Sequence, residues 1–344
     1  MSEPQPGRAL EHARAGEPLL RVEGLRTWFP IRKGLLQHTV GHVRAVDDVS
    51  FEVPVGGTRA LVGESGCGKT TVGLSLLRLV QPQAGRAWFD GEDLLALPPE
   101  ALRERRRNLQ IVFQDPMASL DPRMRVRDAI AEGMQSFGIG DGESERTDRI
   151  AALLSRVQLD PDAMWRYPHE FSGGQRQRIC IARALAVEPR LVVCDESVSA
   201  LDVSIQAQIL NLLSELQEER GLSYLFITHD LSVVRYLADR VAVMYLGQIV
   251  EEGDTERVFA EPAHPYTEGL LSAVPSVDPA VRRVVARVRG DVPSPSAPPA
   301  GCRFHTRCPE VFARCQSEAP PMVPVGDGVS RCFLCLPGES NTSG

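Results

Sequence analysis

Phe171-Ser172-Gly173-Gly174-Gln175-Arg176-Gln177-Arg178 opens a helical run that reaches to about Ala186. Its glycines bare backbone N–H groups at a helix start, where the helix dipole favours an anion. Far upstream, Gly63-Glu64-Ser65-Gly66-Cys67-Gly68-Lys69-Thr70 matches G-x-x-x-x-G-K-[ST] in full. It follows a short buried run, Arg59-Ala60-Leu61-Val62, and precedes apolar residues at helical spacing from Thr70 to Val80. Strand, glycine loop, helix is the context that a phosphate loop requires. One phosphate chain is not wrapped by two such loops from a single small chain. The second loop is therefore expected to serve a nucleotide held by another subunit. The competing reading is a plain helix cap, since Ser is a common N-cap and Gly is tolerated beside it. That reading would hold if the phosphate loop were missing.

Within the first loop, glycines let N–H groups point together at phosphate oxygens, and the helix after it presents its positive end. Gly63, Ser65, Gly66, Cys67, Gly68, Lys69, Thr70 and Thr71 are the candidate triphosphate-binding residues. Lys69 is expected on the β- and γ-phosphates and the Thr70 hydroxyl on Mg²⁺. Only Lys33 and Lys69 are lysines in a chain whose other basic residues are arginine. A compact ammonium fits between phosphate oxygens where a planar guanidinium does not.

Asp195-Glu196 follows the apolar run Leu191-Val192-Val193-Cys194. A strand end would hold Asp195 for the metal and place Glu196 to polarise an attacking water. His229 ends another buried run, Tyr224-Leu225-Phe226-Ile227, and Gln114 ends Leu109-Gln110-Ile111-Val112-Phe113. His229 is expected to donate to the γ-phosphate, and Gln114 to reach the metal or the water. Each residue is weak alone, and a surface acidic pair is common after any strand. Their shared position at strand ends is what joins them.

The 344 residues suffice for one large α/β domain with an appendage, and 43% hydrophobic content supports a buried core. A net charge of −7 argues against a broad nucleic-acid surface. No apolar run is long enough to span a bilayer, and no signal peptide opens the chain. Residues 1–18 are polar and expected to be disordered. A cytoplasmic location follows, with any work at a membrane done through partners.

Along the chain, residues 19–29 read as a first strand and 30–43 as a surface insertion. Residues 45–62 read as two strands broken at Pro54 and Gly56-Gly57. Residues from about 115 to 188 are mainly helical, with breaks at Gly138–Gly142 and Pro161–Pro168, and read as an inserted helical subdomain. Residues 205–219 form an amphipathic helix between two buried strands, and 241–250 a hairpin around Gly247. Strands alternating with helices predict a mainly parallel sheet with ligands at the strand carboxyl ends. Composition shifts after about residue 253, and 274–300 read as a Pro- and Ser-rich linker.

Residues 19–255 resemble the ABC transporter ATPase family, carrying the phosphate loop, Gln114, Ser172-Gly173-Gly174-Gln175, Asp195-Glu196, Ser199-Ala200-Leu201-Asp202 and His229. Gln114-Asp115-Pro116-Met117-Ala118-Ser119-Leu120-Asp121-Pro122, Tyr167-Pro168-His169-Glu170 and Ala200-Leu201-Asp202-Val203-Ser204-Ile205-Gln206-Ala207-Gln208 are similar to its oligopeptide/dipeptide importer branch. So are His264-Pro265-Tyr266-Thr267 and Gly301-Cys302-Arg303-Phe304-His305-Thr306-Arg307-Cys308-Pro309. The resemblance implies a P-loop NTPase core at 19–255 with an antiparallel β subdomain on its N-terminal side. It also implies a C-terminal importer extension at 256–344. Two such subunits would sandwich two ATPs head to tail, with Ser172–Gln175 closing on the partner's ATP and Asp202 at the interface. Phe29 would stack on adenine, with Trp28 as competitor.

The resemblance further implies two transmembrane permease subunits and, indirectly, an extracytoplasmic substrate-binding protein, with this chain at the cytoplasmic face of the inner membrane. A coupling helix would dock near Gln114 to Phe137. The Gln175–Arg178 run and Ser204–Gln208 look like the second ATPase of a heterodimeric pair. Ser197 departs from the family, which has Pro after the glutamate; a fixed φ is lost but no catalytic group. Peptide import leads; nickel or another small solute, a soluble ATPase of the family, and a kinase on the same loop are the alternatives. A kinase leaves Ser172–Gln175 unexplained, and no heptads support a long coiled coil.

Cys302, Cys308, Cys315 and Cys332 are spaced C-x5-C-x6-C-x16-C, with Cys335 spare. A reducing compartment disfavours disulfides, and thiolates in a Pro-rich tail suggest a metal that folds it. Wide spacing with Pro309 after one cysteine fits a [4Fe–4S] cluster better than zinc, whose usual C-x₂₋₄-C pair occurs only at Cys332-Cys335. The resemblance supports the cluster; zinc and unliganded thiols are the alternatives. Cys67, Cys180 and Cys194 read as small packed residues.

Overall fold

β1 (Leu20–Lys33) and β2 (His38–Val53) form one long antiparallel ribbon. Leu20, Val22, Leu25 and Thr27 of β1 face inward. The register shifts between Val22 and Leu25, where Gly24 takes φ +56, so that Leu25 still points to the core. These features come from a computed structural model that describes residues 17–34, 37–199, 201–273, 288 and 290–337. The disordered start expected for residues 1–18 lies almost wholly outside the described residues, as does most of the linker. Residues 30–43 are not a separate insertion. Residues 30–33 and 38–43 carry the ribbon outward, Pro30 opposite His42 and Arg32 opposite Thr39.

A turn at residues 54–57 leads to β3 (Thr58–Val62), buried throughout, and α1 (Lys69–Leu76) begins after the glycine loop. β4 (Ala84–Phe89) and β5 (Glu92–Asp93) join the ribbon in a four-stranded antiparallel sheet ordered β2-β1-β4-β5. α2 (Pro99–Arg106) and β6 (Leu109–Val112) follow. Next come α3 (Pro116–Ser119), α4 (Val126–Ser136), α5 (Glu143–Arg156) and α6 (Gly173–Leu185). Gly138 and Gly140 take φ +65 and +81 between α4 and α5, and short 3-10 turns at Pro161–Trp165 and Pro168–Glu170 precede α6. Those are the breaks expected from the glycines and prolines.

β7 (Leu191–Asp195), α7 (Val203–Arg220), β8 (Ser223–Thr228), α8 (Leu231–Leu237), β9 (Arg240–Tyr245) and β10 (Gln248–Asp254) complete the core order. α9 (Thr255–Ala260), α10 (Pro265–Ser272), α11 (Ala313–Ser317), β11 (Val323–Val325) and β12 (Gly328–Ser330) make up the tail. The large sheet runs β11-β12-β10-β9-β3-β8-β7-β6. Pairs from β9 to β6 are parallel, whereas β9-β10-β12-β11 are antiparallel. The sheet is therefore mixed: β10 turns back antiparallel to β9, and the tail hairpin β11–β12 extends the edge that β10 would otherwise leave open.

Three apolar clusters hold these layers. One packs α4–α7 against Val192, Cys194, Tyr224 and Phe226. A second packs the β1–β2 ribbon and α1 against the other face of the same strands. The third joins α8, α9, α10 and Phe304 to β3 and β9. Glu251 is fully buried yet paired: it accepts from Arg257 and from the N–H groups of Ala263 and His264, which ties the tail to β10. No helix among the described residues is long and apolar enough to cross a membrane.

Candidate nucleotide site

β3 ends at Val62, and the chain turns at once into Gly63–Thr70. Glycine is required at two places in this loop. A Cβ on Gly63, at φ +154, would lie 2.1 Å from the Met244 carbonyl oxygen. A Cβ on Gly68, at φ +106, would lie 1.9 Å from the Ala45 carbonyl oxygen. The loop is thus clamped between β2 and the β9–β10 turn, where the Gly247 N–H donates to the Cys67 carbonyl at 2.9 Å. Gly68 caps α1 without a side chain, so the first helical N–H groups are left for an external acceptor. Ser65 and Gly66 sit exposed at the loop tip, and Thr71 lies in the first turn of α1.

Lys69 is only 4% exposed. Its Nζ donates to the Gly63 and Glu64 carbonyls at 2.8 and 3.1 Å and stands 3.9 Å from Glu196 Oε1. The Thr70 hydroxyl donates to Asp195 Oδ1 at 2.9 Å. Asp195 ends β7, fully within the sheet, and burial pushes its carboxyl above the usual aspartate range against the opposing Thr70 bond. Glu196 takes φ +46, an uncommon value for a side-chain-bearing residue, and its N–H donates to the Ile227 carbonyl of β8 at 2.8 Å. That turn swings its carboxylate between Lys69 and His229, whose Nδ1 lies 3.4 Å from Glu196 Oε2. Ser197 is buried directly behind it.

Five residues spread over the sequence therefore meet at the carboxyl ends of β3, β7 and β8. Gln114 is exposed just beyond β6, next to β7, at the same sheet edge and outside this bonded set. Phe29 is 39% exposed on β1, opposite Val43. Trp28 is committed to neighbours, with the Arg44 guanidinium 5.0 Å from its ring and His42 at 6.1 Å. The free aromatic face of the pair is thus Phe29. A Thr hydroxyl beside an Asp oxygen is a donor set that suits Mg²⁺, which takes few protein ligands and keeps waters.

Ser172 does cap α6: its Oγ accepts from the Gln175 N–H at 3.4 Å, and Gln175 Oε1 accepts from the Ser172 N–H at 3.0 Å. Ser172 and Gly173 are nevertheless exposed, and Gly174 is buried where a Cβ would meet Ile205 Cγ2 at 2.5 Å. Asp202 precedes α7 on the same exposed face, beside Val203 at 83% exposure. Ala200 lies outside the described residues.

Cys302, Cys308, Cys315 and Cys332 line one small cavity with Phe304 and Phe312. Burial raises the Cys308 thiol to about 11. The four are gathered, but among the described residues no group of three or more His, Cys, Asp or Glu side chains is arranged to hold a metal ion. Cys67, Cys180 and Cys194 are buried, as expected of packed thiols. Sequence reasoning missed one residue of the phosphate loop and two that touch it. Glu64 occupies an x position of G-x-x-x-x-G-K-[ST], which specifies no side chain, and Tyr266 and Arg307 lie far off in the sequence, with no local signal of their contact.

Residues 46–199 match the family described as ABC transporter, and residues 250–315 the oligopeptide/dipeptide transporter C-terminal region. The chain is 50% identical over 319 residues to a probable peptide ABC transporter ATP-binding protein of Sinorhizobium fredii, covering 93% of this chain and 90% of the relative. It is 50% identical over 307 residues to the oligopeptide transport ATP-binding protein AppF of Bacillus subtilis, covering 88% and 93%. Among solved structures, cbiO1 of Clostridium perfringens, part of an ABC transporter complex, aligns with a TM-score of 0.60 at 28% identity. That alignment covers 71% of this chain and 91% of the other. A dimeric ATP-binding cassette in a post-hydrolysis state with ADP and Pi aligns with a TM-score of 0.62 at 26% identity, covering 69% and 98%.

Proposed function

Because the chain belongs to the ABC transporter family of ATP-binding subunits, in its peptide-importer branch, we propose that it is the ATP-hydrolysing motor of a membrane importer for peptides. The observation that carries this reading is the convergence of Lys69, Thr70, Asp195, Glu196 and His229 on one sheet edge. In the proposed site, Gly63, Ser65, Gly66, Cys67, Gly68, Thr70 and Thr71 surround the triphosphate and Lys69 neutralises its β and γ oxygens. Phe29 offers the ring for adenine. Thr70 and Asp195 would hold Mg²⁺, with Gln114 reaching it from β6; the ion offsets charge on the phosphates. Glu196 takes the proton from the attacking water, and His229 orients that carboxylate and donates to the γ-phosphate.

Lys69, in its carbonyl cage, is already held where an incoming phosphate would replace those acceptors. Its ammonium also holds Glu196 in place across the site. Ser172, Gly173, Gly174 and Gln175 would close on an ATP bound by a second, related subunit, with Asp202 at the shared face. The exposure of Ser172, Gly173, Asp202 and Val203 on one side supports that reading. We place the chain at the cytoplasmic face of the membrane against two permease subunits, as the 19–255 motor with its helical part at about 115–188. The described residues of the 256–344 extension pack back on that motor. A heterodimer with a related ATPase is the proposed assembly.

We further propose a metal in the tail, a [4Fe–4S] cluster at Cys302, Cys308, Cys315 and Cys332 favoured over zinc; the reading rests on the cysteine spacing, and the side chains as they stand form no ligand set. No step of the hydrolysis is assigned to it. Iron, acid-labile sulfide and zinc per chain, measured after anaerobic purification, test this part: about four iron and four sulfide support the cluster. About one zinc replaces it, and neither metal leaves plain thiols. Reconstitution of the chain with permease subunits in liposomes tests the motor. Peptide-stimulated ATP hydrolysis that disappears in Lys69→Ala is expected; hydrolysis indifferent to the permease would overturn the transport role.

A further inference from the structure

Glu64, the second residue of the phosphate loop, carries the loop's most elaborate contacts. Its two carboxylate oxygens accept from Arg307 Nη1 and Nη2 at 2.7 and 3.0 Å. Its N–H donates to the Tyr266 hydroxyl at 2.9 Å. Its carbonyl accepts from Lys69 Nζ at 3.1 Å and from the Cys67 N–H at 3.3 Å. Arg307 is 7% exposed and its guanidinium lies 5.7 Å from the Tyr245 ring, which itself packs on Tyr266 at 4.7 Å and Phe304 at 5.3 Å. Arg307 is fixed from behind by a tight turn: its N–H and that of Cys308 both donate to the Phe304 carbonyl, at 2.9 and 3.0 Å. Cys302 N–H closes the same segment onto the Cys315 carbonyl at 2.8 Å.

From this geometry we infer that Arg307 and Tyr266 are positioning residues for nucleotide binding, acting through Glu64 to hold the phosphate loop in its binding shape. The inference rests on the reading of Gly63–Thr70 as the triphosphate site. Two physical reasons support it. A bidentate Arg–carboxylate pair is directional, so it sets the orientation of the Glu64 backbone as well as its side chain. The Glu64 carbonyl in turn aims the Lys69 ammonium. The second reason is charge. An unpaired carboxylate one residue into the loop would repel the triphosphate, and Arg307 neutralises it at contact distance. The tail thereby contributes to a site otherwise built wholly from the core.

ATP binding to the full chain and the kcat–KM split of its hydrolysis test this inference. Arg307→Ala is expected to weaken MgATP binding and raise KM by about tenfold, with kcat at saturating ATP within about twofold of wild type. Tyr266→Phe, which removes one hydroxyl and keeps the ring, is expected to raise both by about threefold. Arg307→Lys keeps the charge without the fork and is expected to fall between wild type and Arg307→Ala. In a Glu64→Ala background, Arg307→Ala is expected to add less than about twofold, because its partner is gone. A merely structural role would lower kcat through the active fraction with KM unchanged, and that result overturns the inference. An equal effect of Arg307→Ala with and without Glu64 overturns it too. If Arg307→Ala does not fold, Arg307→Lys and Tyr266→Phe decide, and wild-type affinity in both rejects the clasp. Lys69→Ala separates the premises. Retained ATP binding there rejects the phosphate-loop reading, whereas lost binding there with wild-type affinity in the Arg307 variants rejects the clasp alone.

Discussion

Glu196 shows how a single residue's backbone can serve chemistry. Its φ of +46 is paid in conformational energy of about 1–3 kcal/mol, and the bond from its N–H to Ile227 holds it there. The result is a carboxylate that meets Lys69 on one side and His229 on the other. Glu196→Gln keeps the shape and removes the base. ATP binding is expected to persist while turnover falls by at least about a hundredfold, and an ATP-bound dimer to accumulate. Unchanged hydrolysis in that variant would exclude Glu196 as the base. Gly68 is the complementary case, a residue whose value is the atom it lacks. Gly68→Ala puts a Cβ against the Ala45 carbonyl at an unfavourable φ. A loss of about 2–4 kcal/mol is expected in thermal or denaturant unfolding, with nucleotide binding lost alongside.

At the scale of elements, α6 carries two roles at one end. Ser172 and Gln175 form a capping box, so the cap reading of this segment is satisfied within the chain. Gly174 is there to let α7 approach, since a Cβ would strike Ile205. Neither role explains why Ser172 and Gly173 stand exposed beside Asp202 and Val203. Ser172→Ala should cost about 1 kcal/mol of stability through the lost cap. Ser172→Arg should abolish turnover while leaving ATP binding to the isolated chain intact. Isothermal titration with MgATP separates the two outcomes, and lost binding in the arginine variant would contradict action on a partner's nucleotide. The strand ends are the other elements that matter. Parallel pairing of β7 with β8, Asp195 opposite Ile227, is what brings His229 within reach of Glu196.

For the molecule as a whole, the tail is an integral part of the fold. β12 pairs with β10, Glu251 is sealed by tail donors, and Arg303 bonds Asp47 and the Leu246 carbonyl at the base of the phosphate loop. His264 is fully buried at the start of α10, where Nδ1 accepts from the Tyr266 N–H at 3.0 Å, and burial lowers its pKa to about 3. In the unfolded chain the same group titrates near 6.5. Between these values the unfolded state binds the extra proton, so stability is full above about pH 6.5 and is lost as pH falls toward 3. The loss attributable to this residue is up to roughly 5 kcal/mol across that window. His264→Asn, which keeps an acceptor at the cap, should flatten the pH dependence of urea midpoints there. An unchanged slope would show that His264 does not carry it.

The motifs were legible because each is local: a glycine loop between strand and helix, an acidic pair after an apolar run, a Ser-Gly-Gly helix start. Their order and spacing also identified the family. Alternation of buried runs with helices foretold the parallel core, and glycines and prolines marked its breaks. The rest depends on contacts between distant residues, which no local pattern encodes. The ribbon arms at 30–33 and 38–43 are extended because they pair with each other, although neither has a buried face there. The sheet reached eight strands because β10 offered an edge that a hairpin from the far end of the chain could fill. The Arg307–Glu64 pair joins the tail to the phosphate loop, and an ion pair leaves no periodicity in either segment. Sequence alone thus determined which chemistry this protein can perform. The tertiary structure decided which residues hold that chemistry in place, because side-chain proximity is set by how sheets and helices pack and not by order along the chain.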